Sequence, residues 1–357
     1  LLASLFLLSC SSKEEESSSS STSTTCASSR SLTASTKVPL LLVRVQYADA
    51  TFQSSETTWA DKMFGTSDGQ MNDYLNETTY GKYQFTPVAE TSGCTDDGVV
   101  TVTMSGNHPN TQKTSWNSYA FTAITAADSS VNFASYDNDS DGKLSVSELQ
   151  VIFLVAGGES ASGINSPGGV WAQATGLSFD PNGDGYILNT PCTSSSEECN
   201  GVKMDNVWFL GLNSSGQNGY SQFGERQGSS SSTTWDATIG VMAHELGHAY
   251  FLLPDLYCTT GTCAGIGNFG MMGGGAWGYK SSSEYAGATP VHFSAWAKEK
   301  LSICTPQTVA SGTNSITLPA VYQSSTHAAS CGIYKATTST SGEYFLFENR
   351  SSGGYDQ

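Results

Sequence analysis

The chain has 357 residues, with 15 Lys and Arg against 32 Asp and Glu, which gives a formal net charge of -17. A surface that binds phosphates needs clustered cationic side chains, so this balance argues against nucleic acid as a partner. The length is sufficient for two domains and a sizeable core.

The first ten residues, LLASLFLLSC, are apolar but too few to span a bilayer, and they are typical of a secretory signal peptide. We interpret residues 1–9 as a remnant of that peptide, because no Met or basic segment precedes them. A small residue, Ser9, comes before Cys10, as a bacterial lipoprotein signal peptidase requires. We therefore predict lipidation at Cys10 and a location in the bacterial cell envelope, lipid-anchored or extracellular. An ordinary signal peptide with an incidental cysteine, or part of a membrane helix, is the alternative.

Residues 10–36 are Ser-rich and charged, and they predict a tether that cannot bury a core. A folded domain is predicted over residues 37–305. Within it, apolar runs predict strands at 38–47, 149–156 and 203–211 and a helix at 114–128. After residue 305 short alternating strands are predicted at 314–322, 331–336 and 343–350. Residues 306–357 are therefore expected to be a β-rich module, truncated at its end.

Residues 137–148, DNDSDGKLSVSE, match the twelve-position calcium loop. The carboxylates at positions one, three, five and twelve are Asp137, Asp139, Asp141 and Glu148. Gly142 at position six permits the sharp turn, and Lys143 at position seven offers its backbone carbonyl. A strand-like run follows where a signalling EF-hand has a helix, so we predict a stabilising calcium clamp. An acidic surface loop is the alternative. Residues 180–185 begin a similar loop without the terminal acid and indicate an Asx-rich turn.

The most informative segment is His244-Glu245-Leu246-Gly247-His248, an H-E-x-x-H motif in an apolar run. Helical residues four apart share one face, so both imidazoles can bind one zinc ion while Glu245 reaches a water beside it. A chance match has a probability of under roughly one in a hundred. We predict zinc bound by His244 and His248, Glu245 as the general base, and Asp236 as the N-cap of this helix.

The nine cysteines suit an oxidising compartment, because eight remain once Cys10 is lipidated. The short spacings 192–199 and 258–263 could each close a local disulfide. The pairs 304–331 and 26–94 complete one possible set, although connectivity does not follow from sequence.

The zinc helix is followed by LLPDLYC, GIGNFGMMGGGAWGYK and VHFSAWAKEKL, and the chain also contains YLNETTYGKYQF and EYFLFENRSSGG. With these motifs the chain, over residues 38–357, resembles the immune inhibitor A-like family of secreted bacterial metallopeptidases. The resemblance implies an α+β, zincin or metzincin-like catalytic domain with a mixed sheet, an active-site helix and Met272 in a turn beneath the metal. It also implies Asp255 as the third zinc ligand. The family pattern has a glycine where this chain has Phe251, and Asp255 stands one residue late, so a structural Asp that caps a turn is the alternative.

Together these observations predict a zinc endopeptidase that hydrolyses proteins outside the cytoplasm. Tyr257 or Tyr279 could help to stabilise the oxyanion. His108, His292 and His327 have no partner motif and are expected on the surface or in the core. The competing hypothesis is an inactive, calcium-stabilised surface binding protein or adhesin. The Phe251 departure favours inactivity, whereas the intact Glu245 favours catalysis.

Overall fold

The computed structural model describes residues 34–179, 182, 191–192, 199–310, 312, 315–323 and 330–356. Its strands are β1 (Thr36–Gln46), β2 (Tyr83–Pro87), β3 (Val99–Thr103), β4 (Lys143–Leu144), β5 (Gln150–Glu159), β6 (Gly169–Val170), β7 (Gln173–Thr175), β8 (Ser178–Phe179), β9 (Pro191–Cys192), β10 (Cys199–Met204), β11 (Val207–Phe209), β12 (Tyr220–Ser230), β13 (Thr233–Asp236), β14 (Gln307–Thr308), β15 (Tyr334–Thr337) and β16 (Tyr344–Phe347). Its α-helices are α1 (Glu56–Phe64), α2 (Met71–Thr78), α3 (Asn117–Ala127), α4 (Ile239–Ala249) and α5 (Ala295–Lys300).

A large mixed sheet forms the centre of the fold, with the strand order β13-β12-β5-β1-β2. Strand β1 runs parallel to β5, β2 and β3, and β12 runs parallel to β5. Strands β13 and β7 pair with β12 in the antiparallel sense. The predicted strands 38–47 and 149–156 are confirmed as β1 and β5, although β5 continues past the predicted end at residue 156 to Glu159.

The two central strands are apolar along their length because helices cover both faces of the sheet. One face of β5, with Val151 and Phe153, packs in a core with Trp116 and Ile124. The helix predicted at 114–128 is confirmed here as α3. The alternate β5 residues, beginning with Ile152, pack in a second core that holds the apolar side of α4. The sheet thus supplies a rigid base for the H-E-x-x-H helix.

The predicted strand at 203–211 is confirmed only at Val207–Phe209, which is β11; a single strand from residue 203 is wrong, because a turn divides the segment. Residues 199–209 form a hairpin of β10 and β11 in a separate small sheet with the order β4-β11-β10-β8. The hairpin turns at Asp205 and Asn206, which both have positive φ (49° and 71°). Asn and Asp tolerate this left-handed conformation, and two such residues make a tight hairpin turn. The next strand of the main sheet is β12, which was not predicted.

The predicted N-cap at Asp236 is also wrong. Helix α4 begins after Thr238, whose side chain makes no capping bond to the helix. Asp236 lies on β13 instead, where its carboxylate pairs with Arg226 and accepts a hydrogen bond from Ser54. Its short carboxylate therefore joins strands rather than capping the helix.

Two of the three strands predicted after residue 305 are confirmed as β15 and β16, which form a three-stranded sheet with β14. The stretch 315–322 contains no strand and makes only a bridge between Ala320 and Asn349. This C-terminal segment is held against α2, because Tyr355 donates its backbone N–H to Glu77 (2.7 Å) and its hydroxyl to Asp73 (2.8 Å).

Residues 1–9, Cys10 and the tether up to residue 33 lie outside the described residues. Within the part of the chain that is described, every helix is too short or too polar to cross a lipid bilayer.

Candidate active site

Helix α4 places both imidazoles of the motif on one side. Nearly all of its residues are buried, and Met242 and Leu246 pack in the core beneath the sheet. His244 and His248, one turn apart, project to the opposite side, where their Nε2 atoms lie 3.2 Å from each other. The helix is therefore fixed by its apolar side and offers two nitrogen ligands on the other.

The chain leaves this helix by a turn that absorbs one additional residue. The N–H of Phe251 bonds to the carbonyl of Leu246, five residues back, at 3.2 Å. This widened last turn is of the π type. Leu252 then adopts a left-handed conformation (φ 55°), and Phe251 is buried against Tyr83 and Phe293. The buried ring of Phe251 therefore stabilises a turn in which a glycine would be less strained.

This turn brings Asp255 back to the helix. Its Oδ1 atom lies 3.2 Å from Nε2 of His244 and 3.3 Å from Nε2 of His248. Donor atoms that surround a tetrahedral zinc ion at 2.0–2.1 Å are separated by about 3.3 Å. The three separations therefore fit one zinc ion, and the alternative that Asp255 only caps a turn does not explain why its carboxylate points at both imidazoles.

The outer nitrogen of each imidazole has a backbone partner. Nδ1 of His244 lies 3.0 Å from the carbonyl oxygen of Met271, and Nδ1 of His248 lies 2.6 Å from that of Leu253. A carbonyl can only accept, so these bonds place the proton on Nδ1 and leave the Nε2 lone pairs free for a metal. Met272 is buried beside the helix, close to Gly247. This position suits an apolar floor beneath the two imidazoles.

Glu245 lies between two cavities of about 600 Å³ each, which both reach His244 and Tyr257. Its side chain is almost completely buried, and this burial raises the pKa of its carboxyl although the two histidines oppose the shift. A carboxyl that is desolvated beside metal ligands is well suited to take up a proton during the reaction. The cleft therefore holds a desolvated carboxyl beside the three candidate metal ligands.

The two tyrosines proposed as oxyanion donors differ in position. Tyr257 borders both cavities and is 41% exposed; partial desolvation together with the nearby Asp255 carboxylate raises the pKa of its phenol to about 12. Tyr257 thus keeps its proton at neutral pH and can donate a hydrogen bond. Tyr279 is exposed and borders neither cavity.

The predicted calcium loop brings three carboxylates together. One oxygen each from Asp137, Asp139 and Asp141 lies within 4.8 Å of the others. Asp137 accepts hydrogen bonds from the N–H groups of Asp141 and Gly142, which closes the loop around this cluster. Glu148 stands at the end of the loop and accepts from Asn138 and Ser145. Strand β5 begins two residues later, as expected.

Two of the suggested disulfides are formed, Cys258–Cys263 and Cys304–Cys331. Cys94 is also disulfide-bonded, but the suggested partner Cys26 lies outside the described residues, as do the side chains of the pair 192–199. His108 and His292 are buried in the core, and His327 and most of the loop at 180–185 fall outside the described part of the chain.

Glu159 was missed by the sequence analysis. It ends β5, is fully buried, and accepts backbone hydrogen bonds from Ala161, Ala172 and Gly224 at 2.7–3.1 Å. Ala172 belongs to the segment that borders both cavities. The only signal in the sequence is an acid at the end of a strongly apolar run.

A buried helix that presents two histidines and a glutamate to a cleft, completed by a converging aspartate, is the arrangement of H-E-x-x-H metallopeptidases. The family model described as immune inhibitor A peptidase M6, catalytic domain, matches residues 220–304. Over residues 220–304 this match confirms the predicted family resemblance; the family is one of hydrolases that act on peptide bonds, and it implies a zincin-like fold. The matched segment runs from β12 through α4 to α5 and includes all three candidate ligands. No match was found among curated proteins.

Proposed function

We propose that the protein is a zinc-dependent endopeptidase that hydrolyses protein substrates outside the cytoplasm. The observation that carries the proposal is the convergence of the Nε2 atoms of His244 and His248 and one Asp255 oxygen, all within 3.2–3.3 Å of one another. When bound there, zinc supplies Lewis-acid activation of water and of the scissile carbonyl.

The residues of the chain have separate parts in this reaction. His244, His248 and Asp255 hold the ion, and the carbonyls of Met271 and Leu253 fix the two imidazoles. Glu245 accepts a proton from the attacking water on its carboxylate and donates it to the departing amine nitrogen. Tyr257, which borders both cavities, would donate its hydroxyl proton in a hydrogen bond to the developing oxyanion.

The buried Glu245 also weighs against the alternative of an inactive adhesin that keeps only the fold and its metals. A metal site that serves stability alone has no use for a desolvated carboxyl at its open side, since burying such a group is unfavourable.

We also propose that residues 137–148 bind calcium, with ligands from Asp137, Asp139, Asp141, the carbonyl of Lys143 and Glu148. The support is the loop pattern together with the clustered carboxylates. The ion would clamp the entry to β5, a central strand of the sheet. Formed disulfides suit an oxidising compartment, and with the sequence around Cys10 they support a lipid-anchored or extracellular location.

The test of the catalytic proposal is Glu245→Gln. We expect this variant to retain zinc and to lose at least about 10²-fold in turnover of a fluorogenic peptide, because only the base is removed. Zinc is measured by mass spectrometry of the native protein. Unchanged turnover in the zinc-loaded variant would show that Glu245 is not the base.

A further inference from the structure

Glu348, Arg350 and Asp356 form a charged cluster beside the start of helix α5. Their side chains are at most 15% exposed, and nitrogen atoms of Arg350 lie 3.0 Å from Glu348 and 2.7 Å from Asp356. Buried charges are unfavourable unless they are paired and hydrogen-bonded. A guanidinium has five N–H donors, more than these two carboxylates use. The further donors of Arg350 bond to the backbone of another segment, at residues 292 and 293.

The cluster holds the peptide groups of His292 on both sides. The N–H of His292 donates to Oδ1 of Asp356 at 3.2 Å. Its carbonyl accepts from both terminal nitrogens of Arg350 at 3.3 Å, and one of these nitrogens also donates to the carbonyl of Phe293 at 2.7 Å. Residue 292 is therefore fixed by the C-terminal segment rather than by its neighbours in the chain alone.

The same carbonyl is bonded to the turn beneath the candidate metal ligands. It accepts the N–H of Met271 at 3.3 Å, and the carbonyl of Met271 in turn accepts from Nδ1 of His244 at 3.0 Å. An unbroken series of hydrogen bonds thus leads from Arg350 through two backbone carbonyls to a zinc ligand. Both intermediate residues, His292 and Met271, are fully buried, and hydrogen bonds in series in such surroundings strengthen one another.

The turn that carries Met271 depends on bonds of this kind. Glycines occupy positions 270, 273, 274 and 275, so few side chains anchor its backbone. The bond to residue 292 fixes the peptide group before Met271, and the bond from His244 is made to the peptide group after it. The direction of the second carbonyl therefore depends on how firmly the first peptide group is held.

We propose that Arg350 is a positioning residue for the metal centre, which acts through His292 and Met271 to orient the imidazole of His244. This inference rests on the proposed zinc site. It makes the segment up to Asp356 part of the catalytic unit, although the family match ends at residue 304. Partners of the outer nitrogen of a metal-bound histidine fix its ring, and Arg350 fixes such a partner.

The first experiment measures how fast zinc leaves the protein when a chromogenic chelator is in excess. Arg350→Lys keeps a positive charge beside the two carboxylates, but an ammonium lacks the planar fork that reaches two carbonyls. We expect this variant to release zinc at least about fivefold faster than the parent, and Arg350→Met to release it faster still.

Lys335→Met is the matched control. It removes an ion pair of 2.8 Å with Glu299, which also joins the C-terminal sheet to α5 but ends on a side chain rather than on the backbone at 292. Its zinc release should stay within about twofold of the parent, so an equal acceleration in Lys335→Met and Arg350→Lys would overturn the positioning role. If Arg350→Met does not fold, Arg350→Lys decides.

The second experiment observes the imidazole of His244 directly, in metal-free protein with ¹⁵N-labelled histidine. The Nδ1–H resonance of His244 is assigned by its loss in His244→Asn. Because this proton bonds to the carbonyl of Met271, its chemical shift should move in Arg350→Lys and stay in place in Lys335→Met. A merely structural role for Arg350 would leave the resonance where it is.

The two measurements separate failure of this inference from failure of the proposed function. If the parent holds no zinc but the His244 resonance responds to Arg350→Lys, the metal centre fails and the positioning role stands. If the parent holds zinc and releases it at the same rate as both Arg350 variants, the metal centre stands and the positioning role is overturned.

Discussion

The backbone N–H of Ala172 donates a hydrogen bond to Oε1 of Glu159 at 3.1 Å, so a buried carboxyl at the end of β5 holds the segment that borders the cleft. The other oxygen of Glu159 accepts from Gly224 on β12 at 2.7 Å. One side chain therefore joins two strands of the sheet to the edge of the active site.

This arrangement makes stability depend on pH. Burial raises the pKa of Glu159 from 4.5 to about 8, although the hydrogen bonds from the backbone partly oppose the shift. A group whose pKa is raised by folding stabilises the protein fully below its unfolded pKa, and that contribution is lost as the pH rises to the folded pKa. The contribution of Glu159 should therefore decline between pH 4.5 and about 8.

Glu159→Gln isolates this effect, because the amide does not titrate. At pH 5 the variant should be less stable by about 1–3 kcal/mol, since its NH₂ group faces the N–H of Gly224. The deficit relative to the parent should narrow as the pH rises to 8. Urea unfolding of both proteins across this range measures it, and a constant deficit would show that Glu159 does not titrate there.

Removal of the third ligand should weaken zinc binding. Asp255→Ala leaves two histidines, and catalytic zinc sites normally have three protein ligands. We expect zinc affinity to fall at least about 10-fold in equilibrium dialysis against a zinc buffer. Asp68→Ala, at an exposed carboxylate remote from the site, is the control. If Asp255 only caps a turn, the variant should keep its affinity and lose about 1 kcal/mol of stability.

Calcium should raise the melting temperature of protein freed of calcium. An ion that binds only the folded state adds about 2.7 kcal/mol of stability at 100 times its Kd. Asp141→Ala removes one of the three clustered carboxylates and should weaken the response, with zinc content unchanged. If added calcium leaves the melting temperature of the parent protein unchanged, the loop does not act as a calcium clamp.

Two glycines of α4 should respond differently to alanine. A Cβ at Gly240 would lie 1.9 Å from the carbonyl oxygen of Ala276, whereas one at Gly247 would meet the Met272 sulfur at 2.3 Å. A backbone carbonyl cannot move away without shifting its segment, but a methionine side chain can change rotamer. Gly240→Ala should therefore cost about 1–3 kcal/mol, despite the better helix propensity of alanine.

The cost for Gly247→Ala should be the smaller of the two. Urea unfolding of the zinc-loaded variants compares them directly. The reverse order would mean that Met272 is fixed more tightly than the backbone beside Gly240.

The parts of the site that depend on local periodicity could be predicted from the sequence. The spacing of His244 and His248 determines that both face one side of a helix, whatever surrounds it. Strands β1 and β5 were predictable because both of their faces are buried, which leaves a continuous apolar run. The clustering of Asp137, Asp139 and Asp141 was predictable because these residues are close together in the chain.

Features that depend on tertiary contacts could not be predicted. Strand β12 contains Ser221, Gln222 and Glu225, and it is polar in sequence although these residues are buried. Some of its polar groups find partners in distant segments, as when Glu225 accepts from the N–H of Gln53 at 2.8 Å. Such pairing leaves no periodic pattern. Asp236 was likewise predicted to be a helix cap, because it stands just before the helix in the sequence. Its actual partner, Arg226, lies on a neighbouring strand, and the local sequence does not reveal this pairing.

The widened end of α4 has a consequence for how such enzymes are recognised. A search pattern that requires glycine three residues after the second histidine, and aspartate three residues later, would pass over this chain. In this chain the N–H of Phe251 bonds to the carbonyl five residues earlier, and Leu252 adopts a left-handed conformation. Together these features bring Asp255 back to the imidazoles. Counting residues therefore misses a chain in which the same three side chains converge, because its helix ends in a wider turn that takes up the additional residue.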